Sequence, residues 1–299
     1  MNQQSKTVAD FIRLGTLQLD EAGVHFGHGT DNALDEAACL VFDGLGLAHE
    51  DADELADMEL DQAQREKVCT LFERRVVERK PAAYLTGKAW FCGLPFKVDE
   101  RVLVPRSPIA ELIETAYQPW IAPGQVGCLL DLGTGSGCIA IASALALPDA
   151  RVSASDMSED ALCLARENAA FHGLSDRVEF VHSDLFAGLP GRTYDIIVSN
   201  PPYVAENEVR ALPAEYGHEP NVGLAAGPSG LDIVDRILAQ AAAMLNPAGA
   251  LFVEVGESRD RLERKYPDWP FTWLEFSRGG QGVFLLYREQ LCELIGAAN

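Results

Sequence analysis

Cys128-Leu129-Leu130-Asp131-Leu132-Gly133-Thr134-Gly135-Ser136-Gly137 is the stretch on which the fold turns. A short apolar run ends in an acid, breaks into alternating glycines, and passes into a helical pattern from Ile139 to Leu147. Strand, tight turn and helix in direct succession are the opening of a parallel α/β sheet. The glycines permit a tight turn and let a ligand approach bare backbone. Their G-x-G-x-G spacing is not the G-x-G-x-x-G of a dinucleotide site. No Lys follows, so the turn is not a phosphate loop ending in G-K-[ST] either. Asp131, at the strand end, suits the ammonium of an amino-acid-bearing cofactor better than a phosphate.

The rhythm continues downstream. Strands are expected at Arg151 to Ser155, Val178 to His182, Tyr194 to Ser199 and Ala250 to Val255, with helices at Asp160 to His172 and Leu231 to Leu245. Phe271 to Phe276 and Val283 to Tyr287, joined by Arg278-Gly279-Gly280-Gln281-Gly282, suit a closing antiparallel hairpin. The expected fold is therefore α/β, with a seven-stranded, mostly parallel sheet and helices on both faces. In such sheets ligands bind at the carboxyl ends of the strands, near the topological switch point. The second strand ends at Ser155-Asp156, about 20 residues past the glycine turn, where a ribose-binding acid belongs. The third ends at Ser183-Asp184-Leu185-Phe186, where Asp184 suits an adenine amino group and Leu185 or Phe186 the ring face. Each acid alone is equally explained as a cap for the helix that follows. Three strand ends in order, behind a glycine turn, argue for one nucleoside cofactor.

Upstream, the pattern to about Tyr84 is helical. Val8, Phe11, Ile12, Leu14 and Leu17 recur at helical spacing, a second helix starts near Asn32, and a third spans Asp57 to Arg79 before Pro81. Trp90 to Val104, punctuated by Gly93, Pro95 and Asp99, reads as one hairpin or two, closing at Pro105 and Pro108. The expected organisation is a helical domain over residues 1–85, a hairpin linker over 86–108 and an α/β domain over 109–299. The formal charge of −21, from 45 acidic against 24 basic residues, serves plain solubility or favours a basic partner, and it disfavours direct reading of nucleic acid. Seven cysteines without a C-x-x-C pair, the absence of an apolar leader at the start and the lack of a membrane-length apolar run imply reduced thiols, a cytoplasmic location and no membrane partner. No His/Cys spacing suggests a metal site.

Asn200-Pro201-Pro202-Tyr203 ends the fourth strand. Behind the glycine turn, this tetrapeptide resembles the signature of the Rossmann-like S-adenosylmethionine methyltransferases that act on nitrogens conjugated to planar systems. The chemistry is coherent. An amide nitrogen is a poor nucleophile, and it needs its two N–H bonds held by acceptors and its lone pair aimed at the methyl group. The Asn200 side-chain carbonyl and the Pro201 backbone carbonyl are such acceptors, on a corner stiffened by two prolines without N–H groups. Tyr203 can pack on a flat amide. Asn200, Pro201, Pro202 and Tyr203 are thus the expected catalytic residues, with no metal required.

Four further segments narrow the resemblance: Phe26-Gly27-His28-Gly29-Thr30-Asp31-Asn32, Lys88 to Gly93, Val98 to Pro108, and Glu215-Tyr216-Gly217-His218-Glu219-Pro220. Together they resemble the protein N5-glutamine methyltransferases that modify ribosomal protein uL3. The resemblance implies that Gly133, Thr134, Gly135, Ser136 and Gly137 cradle the methionine part of S-adenosyl-L-methionine. It also implies Asp156 on the ribose, Leu185 near the adenine, Asn200 to Tyr203 on the substrate amide, and substrate recognition by the N-terminal domain. Three other functions share parts of the pattern. They are a release-factor glutamine methyltransferase, an amino methyltransferase for DNA bases, and a silent cofactor-binding sensor. His28 suits either contact with a protein substrate or the start of a helix, where Thr30, Asp31 or Asn32 would cap. Arg106 suits a carboxylate partner or a tie between domains. Glu254, an acid closing an apolar strand, suits a satisfied role near the site or an Arg or helix N-terminus as partner. His218 suits a lid or an exposed loop.

Overall fold

Thr7 opens the first helix. Its hydroxyl accepts from Asp10 N, and the Asp10 carboxylate accepts from Thr7 N, a reciprocal capping box that starts α1 (Val8–Ala22). This is a computed structural model, and it describes residues 6–297. The chain divides into two units. One holds the residues up to Ala89 with Val98–Glu100 and Leu212–Glu219; the other holds Trp90–Lys97, Arg101–Ala211 and the residues from Pro220 on.

In the first unit, α1 is followed by α2 (Ala33–Leu45), α3 (Ala52–Leu55), α4 (Gln62–Glu78) and α5 (Ala82–Thr86). The buried stripe of α1 is Val8, Phe11, Gly15 and Leu19, while Leu17 falls off it and stands 57% exposed. Gly15 is there for close approach: a Cβ would meet the Phe72 ring at 2.3 Å. The helix expected from Asp57 forms as α4 and starts later than its apolar pattern suggested, because Asp61 caps it in a second reciprocal box with Gln64. The residues before it are held as extended chain, with Leu60 N donating to Lys6 O. Asn32 caps α2 by accepting from Asp35 N. His28 is buried, 3.6 Å from the Glu219 carboxylate, with the Tyr216 ring centroid 4.5 Å from its own. The His28 side chain is thus packed inside this unit, while Gly29, Asp31 and Asn32 of the same segment stay exposed. His218, half-buried, is bonded through Nε2 to Glu78 O at 2.9 Å.

Sequence patterning left room for two hairpins after Tyr84. One forms, β1 (Lys88–Phe91) with β2 (Leu94–Lys97), turning at Cys92 and Gly93, both with positive φ. Val98 to Val104 form no strand. In the second unit, α6 (Ile109–Glu114) precedes β3 (Cys128–Leu132), α7 (Cys138–Ala146), β4 (Arg151–Asp156), α8 (Glu159–Phe171), β5 (Val178–His182) and β6 (Tyr194–Ser199). Then come α9 (Glu206–Val209), α10 (Asp232–Met244), β7 (Leu245–Glu254), α11 (Arg259–Lys265), β8 (Thr272–Trp273), β9 (Val283–Tyr287) and α12 (Arg288–Ala297).

The seven strands lie in the order β5-β4-β3-β6-β7-β9-β8, all parallel except β9, which runs against both neighbours. The strand expected over Phe271 to Phe276 is cut to two residues. It is a sheet edge, held by Trp273 and Phe271 packing edge-on to Phe284 rather than by a long ladder. Alternation along the central strands feeds two cores. Leu129, Ile196, Val198 and Phe252 face one side with Ile139 and Ile141, and Leu130, Ile197, Leu251 and Val253 face the other with Val234 and Ile237. The chain builds outward from β3 through β4 to β5, then jumps back to place β6 on the other side of β3. That reversal is the switch point. Its register pairs Leu132 with Ser199 and with Ser155, so the glycine turn, Asn200 and Asp156 leave the sheet side by side.

Candidate active site

A pocket of about 290 Å³ opens at those carboxyl ends, near the lower limit of typical small-molecule sites. Gly133, Thr134, Gly135 and Ser136 line it, as do Asp156, Asp184, Leu185, Asn200, Pro201 and Pro202. The turn is shaped from its flanks. Gly133 N and Thr134 N both donate to Ser155 O, at 2.8 and 3.0 Å, and Gly133 and Gly135 take left-handed φ angles of 73° and 54°. Gly137 is not in the lining. It opens α7 at φ 82°, and a Cβ there would crowd Ala165 at 3.1 Å, so this glycine serves helix packing.

Asp131 was expected to face a cofactor ammonium. It is 1% exposed and lies under the turn, on the α7 side, outside the lining. Its Oδ2 accepts from Thr134 Oγ1 at 2.6 Å and from Ala140 N at 3.1 Å, so it ties the turn to the helix; Oδ1 is buried without a partner. Burial pushes its carboxyl up to about 7, against the lowering effect of those two donors. Asp156 does line the pocket. Gly135 N donates to its Oδ2 and Ser158 N to its Oδ1, each at 2.9 Å, which orients the carboxylate; burial raises its pKa. Beside it, the Ser155 hydroxyl is buried, lines the pocket and has no partner among the described residues. An orphan hydroxyl next to an oriented carboxylate and a glycine cradle is a donor set that fits a polar, diol-bearing nucleoside with an amino-acid arm.

At the third strand end, Leu185 is held in left-handed backbone at φ 51°, a conformation a branched side chain rarely adopts. Ser183 enforces it: its hydroxyl donates to Leu185 O at 2.5 Å and accepts from Gly188 N at 2.7 Å. Strain of this kind clusters at ligand sites. Asp184 is half-exposed and paired with Arg236 at 2.8 Å. Phe186, expected as the alternative ring cover, is buried in the core instead.

Asn200 lines the pocket, and its side chain makes no hydrogen bond among the described residues. Ser199, one residue before it, locks the strand end by donating to Leu132 O at 2.8 Å. Tyr203 lies outside the lining. Its hydroxyl donates to Glu254 Oε1 at 3.1 Å, and its carbonyl accepts from Ser258 Oγ at 2.7 Å.

A protein of Xanthomonas campestris pv. campestris named ribosomal protein uL3 glutamine methyltransferase is 51% identical to this chain, over 95% of this chain and 92% of its own length. Its namesake from Neisseria meningitidis serogroup A is also 51% identical, over 97% and 95%. The chain belongs to the ribosomal protein uL3 glutamine methyltransferases. A family model described as the methyltransferase small domain matches residues 117–215 of this methyltransferase. The hMettl16 catalytic domain, solved in complex with the MAT2A 3'UTR hairpin 1, shares the fold at 18% identity, with a TM-score of 0.51 over 81% of this chain and 85% of that one.

Sequence reasoning missed two pocket-lining features of this methyltransferase. Ser155 carries no motif of its own and is found only by its missing partner. Arg106 lines the pocket, a position its neighbouring prolines did not reveal. Glu254 accepts from two hydroxyls, Tyr203 and Ser107, and lies within the field of Arg106, so the Arg neighbour that the strand-closing acid suited is present beside two hydroxyl donors. Among the described residues no group of three or more His, Cys, Asp or Glu is placed to hold a metal, and no helix is long and apolar enough to cross a membrane.

Proposed function

We propose that this methyltransferase transfers a methyl group from S-adenosyl-L-methionine to the side-chain amide nitrogen of a glutamine in ribosomal protein uL3. The observation that carries this reading is the Asn200 amide, without a hydrogen bond among the described residues, lining the same pocket as the Gly133–Ser136 turn and the oriented Asp156 carboxylate. The bound cofactor would supply an electrophilic methyl on a sulfonium. The chain's own part is binding and aim. Gly133, Thr134, Gly135 and Ser136 cradle the methionine end, Asp156 and Ser155 receive the ribose hydroxyls, and Asp184 and Leu185 border the adenine. Asp131 acts at one remove, by holding Thr134.

Asn200 Oδ1 and the Pro201 carbonyl accept the two N–H bonds of the target amide. Those contacts fix the amide plane, so that the nitrogen lone pair faces the methyl. Aim of this kind is worth roughly 7–11 kcal/mol of barrier, and no strong base is needed beforehand. As the N–C bond forms, the S–CH3 bond would break and leave the cofactor as a neutral thioether, and the methylated nitrogen, now acidic, would release its surplus proton to solvent water. The N-terminal helical region serves substrate recognition, and the charge of −21 suits a basic ribosomal protein met in the cytoplasm before assembly. The relatives' names favour uL3 over release factors, and neither direct nucleic-acid reading nor a membrane partner enters this reading.

The test is direct. Purified enzyme, labelled cofactor and free uL3 are combined, with a release factor and duplex DNA in parallel reactions. Mass spectrometry is expected to find one added methyl on a uL3 glutamine. Asn200→Ala should lower turnover by about 10²-fold or more while leaving cofactor affinity nearly intact. Methylation of the release factor or DNA but not uL3, or full turnover by the Asn200 variant, overturns the reading.

A further inference from the structure

One buried acid has no part in the chemistry above. Glu254 closes β7 and is 4% exposed. Burial raises its carboxyl to about 7, against two hydroxyl donors and the charge of Arg106. Tyr203 Oη donates to Oε1 at 3.1 Å, and Ser107 Oγ donates to Oε2 at 2.5 Å. Ser107 Oγ also accepts from Ile109 N at 3.2 Å, which anchors that hydroxyl to the start of α6. One carboxyl group thus bridges three separate segments: the Pro105–Pro108 run, the Asn-Pro-Pro-Tyr corner and the end of β7.

The same tyrosine is gripped elsewhere. Its ring lies so close to Gly256 that a Cβ there would stand 2.8 Å from Cε2 and 3.0 Å from Cζ. Gly282 in turn packs on Gly256, with a hypothetical Cβ only 2.2 Å from Gly256 O. Ser258 holds the Tyr203 carbonyl. Hydroxyl, ring and carbonyl are all fixed, three residues beyond the side chain that faces the pocket.

An apolar residue would close β7 with no desolvation cost, whereas a buried carboxyl must be satisfied on both oxygens. Here one of its partners is the last residue of the catalytic corner. Between Asn200 and Tyr203 stand two prolines of fixed φ, which transmit orientation rather than absorb it.

We infer that Glu254, held by Ser107, is a positioning residue for methyl transfer: through the Tyr203 hydroxyl it sets the orientation in which Asn200 and the Pro201 carbonyl meet the substrate amide. The inference rests on the amide-clamp reading above. A neutral but hydrogen-bonding Gln preserves the contact, and an apolar Leu destroys it.

Turnover on uL3, cofactor affinity and thermal melting are measured for Glu254→Leu, Glu254→Gln, Tyr203→Phe and the Leu/Phe double variant. Glu254→Leu is expected to lower kcat by about 10²-fold, the cost of a small misplacement, with cofactor Kd unchanged. Glu254→Gln should recover most of that loss. Tyr203→Phe should reproduce the drop, and the double variant should fall no further, because both changes break one contact. Wild-type kcat in either Glu254→Leu or Tyr203→Phe, or additive losses in the double variant, overturns the inference. Should Glu254→Leu not fold, Tyr203→Phe with Glu254→Gln still decides. A crystal structure of Glu254→Gln beside one of Tyr203→Phe separates this inference from the functional reading. If wild type leaves uL3 unmethylated, the glutamine reading fails. The positioning role then stands or falls on whether the corner shifts in Tyr203→Phe and stays in Glu254→Gln.

Discussion

Arg75 Nη1 donates to Glu215 Oε1 at 3.1 Å, across 140 residues of sequence, and neither side chain is more than 2% exposed. Arg75 Nε also meets Glu36 Oε1 at 2.5 Å, and Nη2 donates to His25 O at 2.7 Å. A fully buried guanidinium is tolerable because each of its three nitrogens meets an acceptor, two of them on carboxylates, and the same geometry makes it intolerant of loss. Arg75→Ala leaves two carboxylates without their shared cation. It should cost about 3–5 kcal/mol of stability, read as a lowered denaturation midpoint.

The acid side of that cluster has a pH signature. Burial alone would raise the Glu215 carboxyl, but His25 N and Arg75 donate to it and hold it below its ordinary value of 4.5. The folded state therefore gives up this proton more readily than the unfolded state. The stabilisation is complete above about 4.5 and is lost as pH falls through the depressed value. Glu215→Gln should flatten the acid limb of a melting-temperature profile relative to wild type.

Asp131 behaves in the opposite sense. Its folded-state carboxyl is pushed up to about 7 from 3.8, so between those values the folded chain keeps a proton that the unfolded chain has lost. Stability then declines as pH rises through that window. In cofactor-free protein, Asp131→Asn should raise the melting temperature relative to wild type at pH 8 and much less at pH 4. An equal shift at both values refutes the elevated pKa.

Asp156 is oriented by Gly135 N and Ser158 N and faces the pocket. Asp156→Ala should weaken cofactor binding by about 10- to 100-fold, the loss of charge-assisted hydrogen bonds worth roughly 1.5–3 kcal/mol. Calorimetry with S-adenosylhomocysteine measures it, and unchanged affinity removes Asp156 from the site.

Gly256 has φ 46° and no room for a methyl group against the Tyr203 ring. Gly256→Ala should cost about 1–3 kcal/mol through overpacking and backbone strain. It should also slow turnover more than it weakens cofactor binding, since the ring it displaces belongs to the catalytic corner. Kinetics beside a cofactor titration would show it.

Much of this protein is determined by local pattern. The strands β3 to β6, the glycine turn, the capped helices and the Asn-Pro-Pro-Tyr corner are each legible because period, capping and turn chemistry act within a few residues. Four segments sufficed to point to the family to which the 51%-identical relatives belong. What local pattern could not supply was partnership. Asp131 reads as a ligand-facing acid, and only packing against α7 turns it beneath the turn. Leu17 fits a helical repeat, but the stripe that the Phe72 ring selects passes through Gly15. Asp61, not the apolar period, decides where α4 begins. Glu36, Arg75 and Glu215, or Ser107, Tyr203 and Glu254, carry no signal of belonging together, because a buried charge or hydroxyl is satisfied by whatever the fold brings within about 3 Å. The sequence settles which elements form and which chemistry the strand ends offer. The tertiary structure alone decides which of those groups face a pocket and which are consumed in holding it open.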